Sequence, residues 1–215
     1  MYDAILFDLD GTLIDTERLF LDSSRIILRQ MGVVEEVEAF LHRTVGIDTP
    51  TTIRLFEQTF PALDVPLFRA RVEQMFAERL DQSVPMKSGA VEVLQGLVGQ
   101  VQMGLVTSSF RAAAHKKLRL ATLDRFFKAV VAREDVVLPK PAADPYLLAA
   151  RQLGVDPKRC LVFEDSEPGV AAAHAAGMTV VQVPDIVPAQ GTLAHFIAPD
   201  LYAGAAWAGL RLTAD

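Results

Sequence analysis

The sequence has little of what is typical of secreted and membrane proteins: cysteine pairs, long apolar runs and a signal peptide. Cys160 is the single cysteine among 215 residues, which excludes an internal disulfide and agrees with a reducing compartment. No apolar run approaches the roughly 20 residues of a membrane-spanning helix. The first residues include Asp3, Asp8 and Asp10, where a signal peptide would have a basic start and an apolar core. We therefore expect a cytoplasmic protein with no membrane partner.

Positive charge and histidine are also limited. Lys and Arg number 21 against 27 Asp and Glu, and the formal net charge of -6 argues against nucleic acid as a partner. The 4 histidines are scattered, which disfavours a zinc site. An acidic protein can still bind phosphate where a metal ion and a nearby lysine supply positive charge. Hydrophobic residues at 51% and charged residues at 22% are typical of a globular protein.

The order of apolar segments predicts an α/β fold. A buried first strand is expected in the apolar run 4–7, and residues 16–83 have the periodicity of helices. After Pro85, strands are predicted at 101–106, 129–131, 161–163 and 179–183, alternating with helices at 90–98, 111–120, 145–153 and 168–176. Such alternation indicates a doubly wound parallel sheet, here formed by 1–15 and 84–215 and interrupted by a helical insertion, 16–83. Residues after Pro188 show no clear pattern.

Polar side chains follow three of the predicted strands. The first strand leads into Asp8 and Asp10, the second into Thr107-Ser108-Ser109, and the third into Glu164-Asp165-Ser166. Parallel strands end at one edge of a sheet, where ligands bind in such folds, so these groups should converge there. A fourth element is Lys140, which stands between two prolines that restrict its backbone.

This combination suits phosphoryl transfer. Clustered carboxylates repel one another unless a cation offsets their charge, and hard oxygen ligands without His or Cys favour Mg²⁺. Thr107 and Ser108 can donate hydrogen bonds to a phosphate, Lys140 can hold its oxygens, and an Asp can serve as the nucleophile. Each element also has an ordinary interpretation: a helix cap at 107–109, a solvated loop lysine, and a helix start at 164–166. Their joint occurrence in order favours a site.

The sequence resembles haloacid dehalogenase superfamily phosphatases, in the subgroup that carries a helical cap after the first strand, near beta-phosphoglucomutase and small sugar-phosphate phosphatases. The resemblance covers nearly the whole chain. Four motifs carry it: 8–17 (DLDGTLIDTE), 106–109 (VTSS), Lys140-Pro141 with Asp144 and Tyr146, and 163–166 (FEDS) with Gly169. It implies a Rossmann-like catalytic core formed by 1–15 and 84–215, with 16–83 as the cap.

The resemblance also implies roles for these residues. Asp8 would be the nucleophile and Asp10 the general acid and base. Mg²⁺ would be held by the Asp8 carboxylate, the Asp10 main-chain carbonyl and Asp165, with Glu164 close through water. Thr107, Ser108 and Lys140 would bind the transferred phosphoryl group, and Gly46 in the cap loop would allow close approach of the substrate.

The function we expect is hydrolysis of a small phosphorylated metabolite, a sugar phosphate, through an aspartyl-phosphate intermediate. A phosphosugar mutase is the alternative. Such mutases place basic or imidazole side chains on the cap, but Arg18-Leu19-Phe20 contains no histidine, and the loop 45–49 (VGIDT) has neither a lysine before its glycine nor an arginine after it. Asp10 argues against a true dehalogenase, which needs no acid there. A receiver-like regulatory domain shares an acidic cluster, a Thr or Ser and a Lys, yet lacks both the helical insertion and that second acid.

Overall fold

The computed structural model describes residues 1–34, 37–45, 47 and 49–212. The chain divides into two compact units, Met1–Asp15 with Val84–Asp215 and Thr16–Ser83. The larger unit is α/β, and the smaller one is helical. Within the described part, no helix is both long and apolar enough to cross a membrane.

A parallel sheet forms the centre of the larger unit. Its strands are β1 Ala4–Phe7, β2 Gln102–Val106, β3 Ala129–Val131, β4 Cys160–Glu164, β5 Thr179–Gln182 and β6 Phe196–Ile197. Their order across the sheet is β3-β2-β1-β4-β5-β6. The chain thus runs outward to one side of β1 and then returns to the other side, which confirms the predicted doubly wound sheet. The order reverses between β1 and β4, where such folds bind their ligands.

Helices account for most of the remaining chain. Those of the helical unit are α1 Thr16–Gln30, α2 Val37–Thr44, α3 Thr49–Thr59 and α4 Val65–Gln82. Those of the α/β unit are α5 Ala90–Leu97, α6 Arg111–Leu120, α7 Asp144–Leu153, α8 Glu167–Ala175 and α9 Leu201–Trp207. Single 3-10 turns lie at Asp124–Phe126, Arg133–Asp135 and Pro157–Arg159.

β1 is buried on both faces, as its uninterrupted apolar sequence predicts. Ile5 and Phe7 belong to one apolar cluster and Ala4 and Leu6 to the other, as the two-residue repeat of a strand requires. The ring of Phe7 stacks on that of Phe163 with centroids 5.2 Å apart. This double burial fixes the end of β1, and therefore the position at which its carboxylates emerge.

The C-terminal segment adds β6 and α9, which the sequence pattern did not predict. β6 has only 2 residues, too few for an apolar repeat to show. α9 does carry a start signal, because the Asp200 carboxylate accepts a hydrogen bond from Ala203 N at 2.8 Å. Its small residues pack against the sheet: a Cβ added at Gly204 would lie 2.8 Å from side-chain atoms of both Phe163 and Val181.

The helical unit has its own aromatic core. Phe40 of α2 is buried, and its ring lies edge-on to Phe56 and Phe60 at centroid distances of 4.7 and 4.8 Å. Asp64 caps α4 by accepting a hydrogen bond from Leu67 N at 3.0 Å. The same unit contains a cavity of about 390 Å³ whose lining is mainly apolar.

Truncating Phe40 should destabilise this unit. Phe40→Ala removes a buried ring and leaves a cavity, so we expect a loss of about 3–5 kcal/mol in the free energy of unfolding. Urea denaturation followed by circular dichroism measures this loss. Leu67→Ala is the matched control, because Leu67 on α4 is 43% exposed and should change stability by less than about 1 kcal/mol. Equal losses for the two variants would contradict the assignment of Phe40 to the core.

Candidate active site

The sheet register brings Asp8 beside the end of β4. Phe7 pairs with Leu105 of β2 and with Phe163 of β4, and Asp8 follows it directly. The Asp8 N–H donates to Phe163 O at 3.0 Å, so the ladder extends as far as the carboxylate-bearing residue. Glu164 ends β4 one residue beyond Phe163. Residues remote in sequence therefore meet because parallel strands end together.

Lys140 links the two neighbouring carboxylates. Its Nζ lies 2.6 Å from Asp8 Oδ1 and 2.6 Å from Glu164 Oε1, and it donates to Val106 O at 2.9 Å. The side chains are 5% exposed for Lys140, 9% for Asp8 and 0% for Glu164. Buried carboxylates need such a partner, because each loses its hydration on folding. The lysine is thus a buried partner of both carboxylates and not a solvated loop residue.

Both oxygens of Glu164 are held by protein donors. Besides Lys140, Oε1 accepts a hydrogen bond from the Tyr146 hydroxyl at 2.9 Å. Oε2 accepts from the main-chain N–H groups of Asp165 and Ser166, both at 3.1 Å, and from the Ser166 hydroxyl at 3.0 Å. Ser166 in turn caps α8, accepting from Gly169 N at 3.3 Å. Glu164 is therefore fixed from several directions at the point where β4 passes into α8.

Two glycines make room for the acidic side chains. Gly11 has φ +89°, and a Cβ added there would overlap the Asp165 carboxylate. A Cβ at Gly169 would likewise overlap the carboxylate of Glu164. Thr12, next to Gly11, donates from its hydroxyl to Asp165 Oδ1 at 3.4 Å. Gly11 thus lets the turn after β1 approach Asp165, which directly follows β4, and Gly169 lets α8 pass close to Glu164.

Burial and mutual repulsion shift the titration of these groups. Burial raises the pKa of Asp8 to about 7; Lys140 opposes this rise, and Glu164 contributes to it. Burial alone would lower the pKa of Lys140, but the charges of Asp8 and Glu164 together raise it above its ordinary value. Burial, followed by the charges of Glu164 and Asp8, also raises the pKa of Asp165. The cluster holds more negative charge than one lysine balances.

The same carboxylates can hold a metal ion. Ligand oxygens of Asp8, Glu164 and Asp165 lie within 4.8 Å of one another. The donors are hard oxygens, which suit Mg²⁺ better than zinc. Protein donors already occupy both Glu164 oxygens, which favours Asp8 and Asp165 as direct ligands and Glu164 as a partner through water. The residues present therefore fit the ion, and its charge would balance the excess of carboxylates.

Asp10 contacts two residues of the β2–α6 region. Its carboxylate accepts hydrogen bonds from Lys117 Nζ at 2.6 and 2.8 Å and from the Ser109 hydroxyl at 2.7 Å. The sequence did not point to Lys117, which stands in a polar stretch of α6. Its position held a signal, however: Ala114, Lys117 and Leu118 lie at i, i+3 and i+4 and form the buried face of the helix. A lysine at an apolar position needs a partner.

The remaining site residues differ in their surroundings. Thr107 is buried at the end of β2, and its hydroxyl accepts a hydrogen bond from Ser109 N at 3.0 Å, whereas Ser108 is exposed. The helix-cap interpretation of 107–109 does not hold, because α6 begins at Arg111, whose N–H donates to the Glu134 carboxylate at 2.9 and 3.0 Å. Gly46 lies outside the described residues.

Known proteins are similar to this chain in sequence and in fold. The sequence profile of the family described as haloacid dehalogenase-like hydrolase matches residues 5–183, which is most of the chain. The crystal structure of a HAD family hydrolase from Deinococcus radiodurans R1, with bound phosphate and sodium, aligns with a TM-score of 0.82 and 29% identity. That alignment covers 99% of each chain.

Relatives of similar length include two enzymes of Escherichia coli K12. The fructose-1-phosphate phosphatase YqaB is 34% identical over 183 residues, covering 85% of this chain and 96% of that protein. Hexitol phosphatase A is 33% identical over 185 residues, covering 84% of this chain and 82% of that protein. Both similarities extend across most of the two proteins compared.

The raised pKa of Asp8 predicts a pH-dependent stability of the metal-free protein. Asp8 titrates near its ordinary 3.8 when unfolded and at about 7 when folded, so the native state keeps a proton between these values that the unfolded state releases. Stability from this group therefore falls as pH rises through that window. Asp8→Asn is neutral throughout, so its stability relative to the wild type should increase from about pH 4 to pH 7 and then level off.

Urea denaturation in EDTA at a series of pH values measures this difference. Leu120→Ala, an exposed substitution that removes no titratable group, should give a difference that does not vary with pH. A relative stability of Asp8→Asn that stays constant or declines across the window would contradict the account of Asp8.

Proposed function

The chain belongs to the haloacid dehalogenase-like hydrolase family and is a phosphatase of that family, and we propose on this basis that it is a Mg²⁺-dependent phosphomonoesterase acting through an aspartyl-phosphate. The observation that carries the proposal is the buried Lys140 ammonium between Asp8 and Glu164. Because of this contact, the Asp8 carboxylate lies beside a fixed positive charge at the switch point of the sheet. A phosphoryl group can be bound and attacked there.

Asp8 is the proposed nucleophile. Its carboxylate oxygen bonds to phosphorus as the bond from phosphorus to the leaving alcohol breaks. Lys140 and Thr107 would bind the oxygens of the transferred group. The 2.6 Å distance from Lys140 Nζ to Asp8 Oδ1 and the position of Thr107 directly after the neighbouring strand support these roles. Their donors offset the charge that would otherwise repel the anionic ester from a carboxylate. Ser108, exposed next to Thr107, can add a donor from its main chain or hydroxyl.

Asp10 is the proposed acid and base. In the first half of the reaction its protonated form gives a proton to the alcohol oxygen as that group leaves. In the second half its carboxylate takes a proton from a water molecule whose oxygen attacks phosphorus. The bond between phosphorus and the Asp8 oxygen then breaks, which releases phosphate and restores the nucleophile. The position of Asp10, two residues after Asp8, brings it to the same strand end.

Mg²⁺ completes the proposed site. The Asp8 and Asp165 carboxylates and the Asp10 carbonyl would hold it, with Glu164 contributing through water. When bound, the ion supplies positive charge that favours the ionised form of Asp8 and draws in the phosphate. The hydrogen bond from Thr12 to the Asp165 carboxylate and the room that Gly11 leaves for it support this role for Asp165.

A small phosphorylated metabolite is the proposed substrate. Relatives are named for fructose 1-phosphate and for hexitol phosphates, which supports a sugar phosphate or a closely similar ester. We further propose that the α/β unit is the catalytic core and that the helical unit 16–83 is its cap, where the residues that select the substrate would lie. The absence of histidine from 18–20 supports hydrolysis over mutase activity.

Removal of each aspartate should affect the two half-reactions differently. With p-nitrophenyl phosphate and Mg²⁺, Asp8→Asn should lower turnover by about a thousandfold or more, because no other group can accept the phosphoryl group. Asp10→Ala should still release one nitrophenolate per enzyme in a rapid burst, since that leaving group needs no proton, and should then stall as an aspartyl-phosphate. Rapid-quench kinetics and intact-protein mass spectrometry measure both. EDTA should abolish wild-type turnover.

Asp124→Asn, an exposed carboxylate of the same unit, is the control and should keep wild-type activity. Failure of the wild type to hydrolyse any member of a broad phosphate-ester panel with Mg²⁺ would contradict the proposal and favour a receiver-like role. Isomerisation of a hexose 1-phosphate in the presence of trace bisphosphate, without release of phosphate, would favour the mutase instead.

A further inference from the structure

Lys117 is a buried lysine on the apolar face of α6. Its side chain is 11% exposed, and its neighbours on that face are Ala114 and Leu118, both buried. An ammonium group in such a position loses much of its hydration, which is unfavourable unless a carboxylate compensates. A leucine or methionine would fill the same space without that loss. The presence of lysine therefore calls for an explanation beyond helix packing.

The carboxylate that compensates Lys117 is that of Asp10. Nζ contacts both of its oxygens, at 2.6 Å for Oδ1 and 2.8 Å for Oδ2. The Ser109 hydroxyl donates to Oδ2 at 2.7 Å and accepts from Lys117 Nζ at 3.1 Å. Asp10, Ser109 and Lys117 thus each make a hydrogen bond with the other two. A carboxylate held through both oxygens cannot rotate about its last bond without breaking a charge-assisted contact.

We propose that Lys117, together with Ser109, is a positioning residue that holds the Asp10 carboxylate in the orientation needed to activate water. The inference rests on the proposed function, in which Asp10 is the acid and base. The contact engages the ionised carboxylate, which is the form that accepts a proton from water in the second half-reaction. Lys117 therefore acts on hydrolysis of the aspartyl-phosphate, and it has little effect on its formation from an ester with a good leaving group.

The contrast with Lys140 supports this division of roles. Lys140 contacts Asp8 and Glu164, the carboxylates of the nucleophile and metal region. Lys117 contacts Asp10, whose side chain is 30% exposed and so remains open to solvent on one side. A carboxylate that is clamped by a buried cation and yet reached by water is suited to proton transfer. Each of the two aspartates after β1 thus has its own lysine.

Pre-steady-state kinetics of Lys117→Met with p-nitrophenyl phosphate tests the proposal. We expect the burst of nitrophenolate to persist at one equivalent per enzyme while the steady-state rate falls about tenfold or more. The aspartyl-phosphate should then accumulate and be visible as a phosphate adduct by mass spectrometry. Lys117→Arg should recover part of the steady-state rate because it keeps the charge. Arg119→Met, an exposed cation lost from the same helix, should match the wild type.

Ser109→Ala provides a second measurement on the same carboxylate, should Lys117→Met fail to fold as judged by its thermal midpoint. It removes one donor to Asp10 Oδ2 and should lower the steady-state rate by about threefold to tenfold with the burst retained. A steady-state rate within twofold of the wild type in the folded variants would overturn the proposal. So would a raised KM with unchanged kcat, which would make Lys117 a substrate-binding residue.

Loss of the burst itself in a folded Lys117→Met would also overturn the proposal, because it would place Lys117 in the attack by Asp8. A wild type without turnover would remove the proposed function and this inference together. That result differs from a failure confined to the Lys117 and Ser109 variants, in which the wild type still hydrolyses the ester.

Discussion

The burial of several carboxylates at one edge of the sheet is the constraint on which the site depends. β1 and β4 are adjacent and parallel, so Asp8 and Glu164 emerge side by side from an apolar core. Without a cation, this arrangement would oppose folding. The Lys140 ammonium lies between the two at 2.6 Å from each and is itself buried. Burial, to which the charge of Glu164 adds, raises the pKa of Asp8. The excess of carboxylates favours a metal ion, whose charge would in turn attract an anionic ester.

Much of this could be predicted because strong local patterns determine it. The uninterrupted apolar run of β1 indicates a strand buried on both faces, and the alternation after Pro85 indicates a parallel sheet. Once the sheet is parallel, its topology brings Asp8, Thr107 and Glu164 to one edge whatever their separation in sequence. The roles assigned to these residues stay predictions. Their arrival at one edge follows from strand direction, and their proximity from the order β2-β1-β4 in the sheet.

The rest depended on contacts that no local pattern encodes. Lys117 pairs with Asp10 across 107 positions of sequence, and its neighbours Lys116 and Arg119 make it resemble part of a solvated face. One of the hydrogen bonds to Glu164, at the end of β4, comes from Tyr146 of α7. β6 is too short to show a repeat, and the small residues of α9 hide its packing against the sheet. Side-chain partners such as these are set by the tertiary structure.

A double-mutant cycle between Asp8 and Lys140 tests most directly whether the buried lysine stabilises the nucleophile. The free energies of unfolding of the wild type, Asp8→Asn, Lys140→Met and the double variant would be measured in urea with EDTA at pH 8. The account predicts that Lys140→Met alone loses about 3–5 kcal/mol, and that the double variant loses less than the sum of the single changes by about 1 kcal/mol or more. Losses that add within about 0.5 kcal/mol would contradict it, because the two side chains would then contribute independently to the free energy of unfolding.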